Sequence, residues 1–172
     1  DYIFVQGSGK QYHHPKSRMI DALIHPNISN NKEVFRQIYL ESRTMLLNGS
    51  NRIDLVKEKD GGDMQKPPSN SFQKLFRHDS LRAKFSTLVF KGLGSYAVIV
   101  PTNIGKLRLR LSPVQPPSPE VERGLGDASI AFHAKAQLIS EASDGAKAFT
   151  GILSAILADD PKILLLDEPE AF

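Results

Sequence analysis

The sequence predicts an α/β fold with an added antiparallel portion, on three observations. Lys162 opens a continuous apolar run, Ile163-Leu164-Leu165-Leu166, closed by Asp167-Glu168. Such a run suits a strand buried on both faces, hence a parallel sheet flanked by helices. A helical segment starting near Ser143 leads into it. Upstream, Tyr96–Val100 and the alternating stretch Lys106–Leu111 flank Thr102-Asn103-Ile104-Gly105, which reads as an antiparallel hairpin.

The 172 residues are 40% hydrophobic and 24% charged. This ordinary globular balance excludes collagen-like, mucin-like and wholly disordered chains. No apolar run approaches the ~18 residues of a membrane span, and the start, Asp1-Tyr2-Ile3-Phe4-Val5, has no secretory h-region. The expectation is a cytoplasmic protein. Absence of cysteine excludes disulfides, Cys-ligated zinc and a thiol nucleophile. The net charge is +3, too modest to argue for nucleic acid by itself. The first 86 residues hold 14 basic against 9 acidic side chains and the last 86 hold 8 against 10.

In chain order, Tyr2–Val5 reads as a short strand ending at Gly7. Residues 11–30, with Pro15 and Pro26, read as irregular. Asn30 and Glu33 have capping-box spacing. Asn31–Asn48 is then expected as a helix with Val34, Phe35, Ile38, Tyr39, Met45 and Leu46 inside and Gly49 as its stop. Arg52–Val56 is a candidate strand and Lys59–Gly62 a turn. Helices follow from about Asn70 and Asp79, the second with an apolar stripe of Leu81, Phe85, Leu88 and Val89 that ends at Gly92 and Gly94. In the hairpin, Leu107, Leu109 and Leu111 face inward and Lys106, Arg108 and Arg110 outward. Ser112–Asp127, with four prolines, reads as a long surface loop. His13, His14 and His25 read as loop histidines, since no acidic partner has ligand spacing.

The last thirty residues carry the chemistry. Ser143 is a natural N-cap, and the helix runs to about Ala158 with Phe149, Ile152, Leu153, Ile156 and Leu157 as its expected buried stripe. A helix N-terminus with a hydroxyl, Gly145 beside it and Lys147 one turn in can hold an anion. It can equally be a cap that serves only its own helix. Two carboxylates at the end of an apolar strand have the form of a Walker B element. There the Asp serves Mg²⁺ and the Glu polarises an attacking water.

Taken in order, Glu141-Ala142-Ser143-Asp144-Gly145-Ala146-Lys147-Ala148-Phe149-Thr150-Gly151-Ile152-Leu153 and then Pro161–Phe172 resemble bacterial AAA-family ATP-binding proteins with an ABC-type ATPase core. These are relatives of overcoming-lysogenization-defect proteins and of SMC/RecF-like ATPases. The resemblance is strong over about residues 139–172 and weaker upstream. It implies a partial P-loop NTPase fold of ABC type. Residues 1–127 would be its antiparallel β-hairpin and helical lobe, and 128–172 its signature helix and Walker B strand. It also implies that Ser143, Asp144 and Gly145 form the signature loop, with Asp144 where many members carry Gly. That loop would reach the γ-phosphate of ATP held by a second copy, with Lys147 beside it. Asp167 would serve Mg²⁺, and Glu168 would be the catalytic carboxylate. The implied partners are ATP and a homodimer formed around it, driving an effector domain or a DNA-related process.

An ATPase of this class needs G-x-x-x-x-G-K-[ST]. The nearest match is Gly7-Ser8-Gly9-Lys10, but Phe4 stands at the first Gly position and Gln11 at the Ser/Thr position. The stretch reads as a turn. The chain is therefore expected to be part of a larger ATPase, cut at both ends and inactive alone. The competing expectation is a degenerate relative that binds partners without hydrolysis, and a third is nucleic-acid binding through the Arg108 face.

Overall fold

The computed structural model describes residues 2–7, 10–25 and 27–167. The chain is mixed α/β with an antiparallel sheet and divides into two compact units. One takes Asp1–Asn48 with Pro161–Pro169, and the other takes Gly49–Asp160.

In the first unit, strands β1 (Tyr2–Gly7) and β2 (Lys10–Pro15) pair antiparallel, from Tyr2↔Pro15 to Gly7↔Lys10. Residues 11–15, expected to be irregular, are thus a strand. Helix α1 (Lys16–Ile24) and helix α2 (Ser29–Phe35) follow. The buried Asn31 amide ties them together, donating to the Asp21 carboxylate at 3.2 Å and the His25 carbonyl at 3.2 Å. Ala22, Val34 and Ile38 form the small core between them.

The helix expected over Asn31–Asn48 is shorter. From α2 the chain winds through a π-helical stretch, Arg36–Leu40, and a 3-10 turn, Glu41–Arg43. It then extends as strand β3 (Thr44–Leu47). Met45 and Leu46 therefore belong to a strand. The cause is tertiary: β3 pairs in parallel with β8 (Ile163–Leu166), from Thr44↔Ile163 to Leu47↔Leu166. That pairing outweighs the helix preference of Met and Leu, which tertiary context readily overrides. The ladder extends at both ends, where the Lys162 amide donates to the Arg43 carbonyl at 2.9 Å and the Asp167 amide to the Leu47 carbonyl at 2.8 Å.

The second unit is built on a sheet in which β6 (Lys106–Ser112) pairs along one edge with β5 (Tyr96–Asn103). Along its other edge it pairs with the short strands β4 (Lys59–Asp60) and β7 (Gln137–Leu138). All pairings are antiparallel. The expected hairpin is present, with Gly105 supplying the positive φ of 81° that its turn requires. One sheet face carries Ala97, Ile99, Leu107, Leu109 and Leu111 into a core with Phe72, Leu75, Phe85 and Val89. These last four come from helices α4 (Ser71–Arg77) and α5 (Asp79–Leu93). The other face packs Val98 and Val100 against Phe132 of helix α7 (Asp127–Ala134).

Several elements of this unit differ from expectation. Residues 52–56 are not a strand; helix α3 (Gly49–Asp54) covers the first part. It lies against Gly151 so closely that a Cβ there would stand 2.9 Å from the Arg52 carbonyl oxygen. The proline-rich stretch 112–127 is not wholly loop. Ser118 caps helix α6 (Pro119–Arg123), its hydroxyl accepting from the Val121 amide at 3.3 Å. The two helices expected from about Asn70 and Asp79 are present as α4 and α5, separated at His78 with φ −108° and ψ 102°.

Candidate functional site

Helix α8 (Asp144–Asp159) starts where the sequence places it. The Ser143 side chain accepts from the Ala146 amide at 3.3 Å. This satisfies one of the N–H groups that a helix start leaves open. Asp144 occupies the first helical position, where its charge suits the helix dipole. Its Oδ1 also accepts from the Lys147 Nζ at 3.0 Å. Lys147 is therefore not a free solvated charge. Its ammonium folds back over the first turn, next to Gly145 and the Ser143 hydroxyl in sequence.

The buried face of α8 is not the expected stripe. Ala148, Thr150, Gly151, Ser154, Ala155 and Ala158 are buried. Phe149 and Ile156 are exposed, and Ile152, Leu153 and Leu157 half-buried. Small side chains win this face because it meets helices closely. A Cβ on Gly151 would stand 2.8 Å from the Leu55 Cβ, so α3 approaches α8 at a distance only glycine permits. The large apolar residues keep helical periodicity but line the flank.

At the other end of α8, Asp160 takes the left-handed conformation with φ 47°, and its amide donates to the Ile156 carbonyl at 3.2 Å. The Lys74 ammonium donates to the Ala158 carbonyl, a cation at a helix C-terminus. Lys59, half-buried and 5.4 Å from the Phe72 ring centroid, has its pKa pushed below the usual lysine range by burial, with Asp159 and Asp54 opposing the shift.

Strand β8 departs from expectation in its burial. Leu165 is 50% exposed and its neighbour Leu46 on β3 is 62% exposed. Among the described residues β8 has one strand partner, β3, so its apolar content does not correspond to burial on both faces. Asp167 follows the strand directly, its carboxylate exposed and its amide fixed by Leu47. Glu168, the expected catalytic carboxylate, lies outside the described residues. Among the described residues no group of three or more His, Asp and Glu side chains converges as a metal cluster.

Lys10 opens a strand rather than a helix. The Gly7–Lys10 stretch therefore lacks the following helix N-terminus on which a phosphate loop depends. Residues 13 and 14 fall in β2 rather than in a loop. The basic face of the hairpin is mixed, with Lys106 exposed to solvent and both arginines paired. Arg108 pairs with Glu58 at 2.9 Å, and Arg110 Nη1 donates to the Ala136 carbonyl at 2.6 Å.

A buried charge network escaped the sequence reading. Arg82 Nε donates to Glu122 Oε2 at 2.8 Å, with both side chains buried. Arg82 Nη1 donates to the Phe76 carbonyl and to Asp79 Oδ1, each at 3.0 Å. This holds the Asp79 carboxyl below its usual range. His133 Nε2 donates to the Glu122 carbonyl at 2.8 Å. Burial lowers the His133 pKa, with nearby Arg110 adding to the shift. Glu122 lies forty residues from Arg82, inside the stretch read as loop; its one sequence signal was Ser118-Pro119, a cap followed by proline at the first helical position.

Among the described residues, no helix is long and apolar enough to cross a membrane. Compared with protein families, curated proteins and solved structures, the chain matches none.

Proposed function

We propose that this chain carries the signature helix and Walker B strand of an ABC-type P-loop ATPase, a cytoplasmic protein that binds and hydrolyses ATP as a dimer. The observation that supports it best is the parallel pairing of β8 with β3, which puts Asp167 at the carboxyl end of a parallel strand. That is where open α/β sheets bind ligands. The capped N-terminus of α8, from the segment just before, is the second support.

On this reading ATP is the substrate and Mg²⁺ the cofactor. The exposed Asp167 carboxylate is a hard oxygen donor and fits Mg²⁺, which would neutralise charge on the terminal phosphates. The Ser143 hydroxyl and the amides around Gly145 fit an acceptor-rich γ-phosphate presented by a second copy, with Lys147 as the cation. Glu168 takes the proton of the attacking water. The new P–O bond forms as the bond to the ADP oxygen breaks, and phosphate leaves. ATP thus joins two copies, and its hydrolysis lets them part to drive an effector domain or a DNA-related process. The phosphate loop of this ATPase is not the Gly7–Lys10 stretch.

The test is Glu168→Gln in the full-length protein. Retained ATP binding, lost turnover and an ATP-trapped dimer by light scattering are the expected result; normal turnover would overturn the role of Glu168. A second reading, a non-catalytic partner-binding relative, is favoured by the strand that follows Gly7–Lys10. It predicts no ATP turnover by the full-length protein at any Mg²⁺ concentration.

A further inference from the structure

Helices α6 and α7 cover one face of the β5–β6 sheet as a pair. They are tied to each other twice. Ser129 of α7 fills the space where a Cβ on Gly124 would stand, and His133 Nε2 of α7 donates to the Glu122 carbonyl of α6. The pair meets the sheet through a small apolar cluster, Val98, Val100 and Phe132 with half-buried Val121 beside them. The larger core lies on the opposite face, so it does not depend on the pair. Helices of five and eight residues do not persist alone in water.

His133 sits at the pivot, 2% exposed. A carbonyl only accepts, so Nε2 carries the proton and the neutral ring leaves Nδ1 bare. That Nδ1 is buried and has no hydrogen-bond partner among the described residues. A proton there would be a buried donor without an acceptor. It would also place a second cation near Arg110, which is fixed on the Ala136 carbonyl three residues further on. Burial and Arg110 hold the ring neutral against the pull of Glu122. The other charges on the neighbouring elements are turned elsewhere. The Glu122 carboxylate is held by Arg82, Arg123 by Asp79, Glu120 by Ser118 and Arg108 by Glu58. Strand β5 brings no charged side chain, and Asp127 and Lys135 of α7 are exposed. Only the neutral ring therefore fits the closed pair.

We propose that the α6–α7 pair is an acid-operated flap, in which protonation of His133 lifts the pair from the β5–β6 face while the opposite face keeps its core. Opening would bare Val98, Val100 and Phe132. The proposal is independent of the ATPase reading.

The test is amide hydrogen exchange of the 172-residue chain, ¹⁵N-labelled, with each rate divided by the intrinsic rate at that pH. The open state takes up the proton first, so opening is favoured as pH falls below about 6.5. Protection of the Ile130, Phe132 and Ala136 amides should drop by up to about tenfold between pH 7.5 and 5.5, the limit for one imidazole. Protection of Val89 and Leu109 should change by less than about twofold. In His133→Gln, which can still donate to the Glu122 carbonyl, α7 protection should not depend on pH. In Arg110→Met the drop should be smaller than in the parent, because the repelling cation is gone; this variant carries the comparison if His133→Gln does not fold. The proposal is overturned by pH-independent α7 protection in the parent, or by an undiminished drop in either variant. An equal drop at Val89 and Leu109 also overturns it, since the whole unit would then be opening.

Discussion

Glu122→Gln removes the charge that fastens α6 to α5 while keeping the side chain's shape. Arg82 is 2% exposed and Glu122 8% exposed, and their Nε–Oε2 distance is 2.8 Å. The variant leaves a buried guanidinium with the Asp79 carboxylate, the Phe76 carbonyl and a neutral amide. Breaking one side of a buried pair costs about 3–5 kcal/mol. Because Asp79 and the carbonyl remain at 3.0 Å, the low end applies, about 3 kcal/mol. For a chain of this length each kcal/mol moves the midpoint by about 2–4 °C, so the melting temperature should fall by roughly 6–12 °C. Urea unfolding with an unchanged m-value is the assay. The double variant Arg82→Met/Glu122→Leu removes both charges. It should return to within about 1 kcal/mol of the parent, since apolar replacement of a buried pair is close to neutral or better. A Glu122→Gln loss below about 0.5 kcal/mol, or a double variant as unstable as the single one, would refute the reasoning.

Other outcomes follow from the same geometry. Gly151→Ala puts a Cβ 2.9 Å from the Arg52 carbonyl oxygen, and this backbone clash should cost about 1–3 kcal/mol in urea unfolding. Ser143→Ala removes the α8 cap and should cost about 1 kcal/mol; on the ATPase reading it also weakens ATP-dependent dimerisation of the full-length protein. The pKa of His133 is lowered from its ordinary 6.5 in the folded state, so the unfolded chain binds the proton first as pH falls. Its contribution is complete above about 6.5 and is lost as pH drops from there through the folded value. Urea midpoints at pH 7.5 and 5.5 should therefore differ less in His133→Gln than in the parent.

Legibility in the sequence followed the range of the interactions. The hairpin was readable because Leu107, Leu109 and Leu111 alternate with charged residues, and this local pattern is the one the sheet uses. Ser143 was readable as a cap because capping is settled within four residues. On α8 the large apolar residues keep the helical period without forming the inner face. Close approach of α3 instead demanded glycine and alanine there, and periodicity carries no information about how near a neighbour comes. Local pattern points to helix over β3 because its partner, β8, comes more than a hundred residues later. Arg82 with Glu122 was invisible for the same reason. Ser143, Asp144, Gly145 and Lys147 share the first turn of α8, so their closeness follows from sequence proximity alone. Asp167 owes its position at a strand end to a partner that no local pattern announces.

The pairing of β3 with β8 has a consequence for how the chain assembles. Residues 48–162 lie between the two strands. Closing so long a loop from an unfolded chain costs about 4 kcal/mol in configurational entropy, a cost that offsets much of what burying Met45 and Leu47 in the ladder returns. Once residues 49–160 are folded, most of that freedom has already been lost and the remaining search is short. Strand β8 should therefore dock late, after the unit that precedes it. Exchange of its amide hydrogens then reports on that unit as a whole, and a lesion deep in the α5–α6 network would free Asp167 from the ladder without touching either strand.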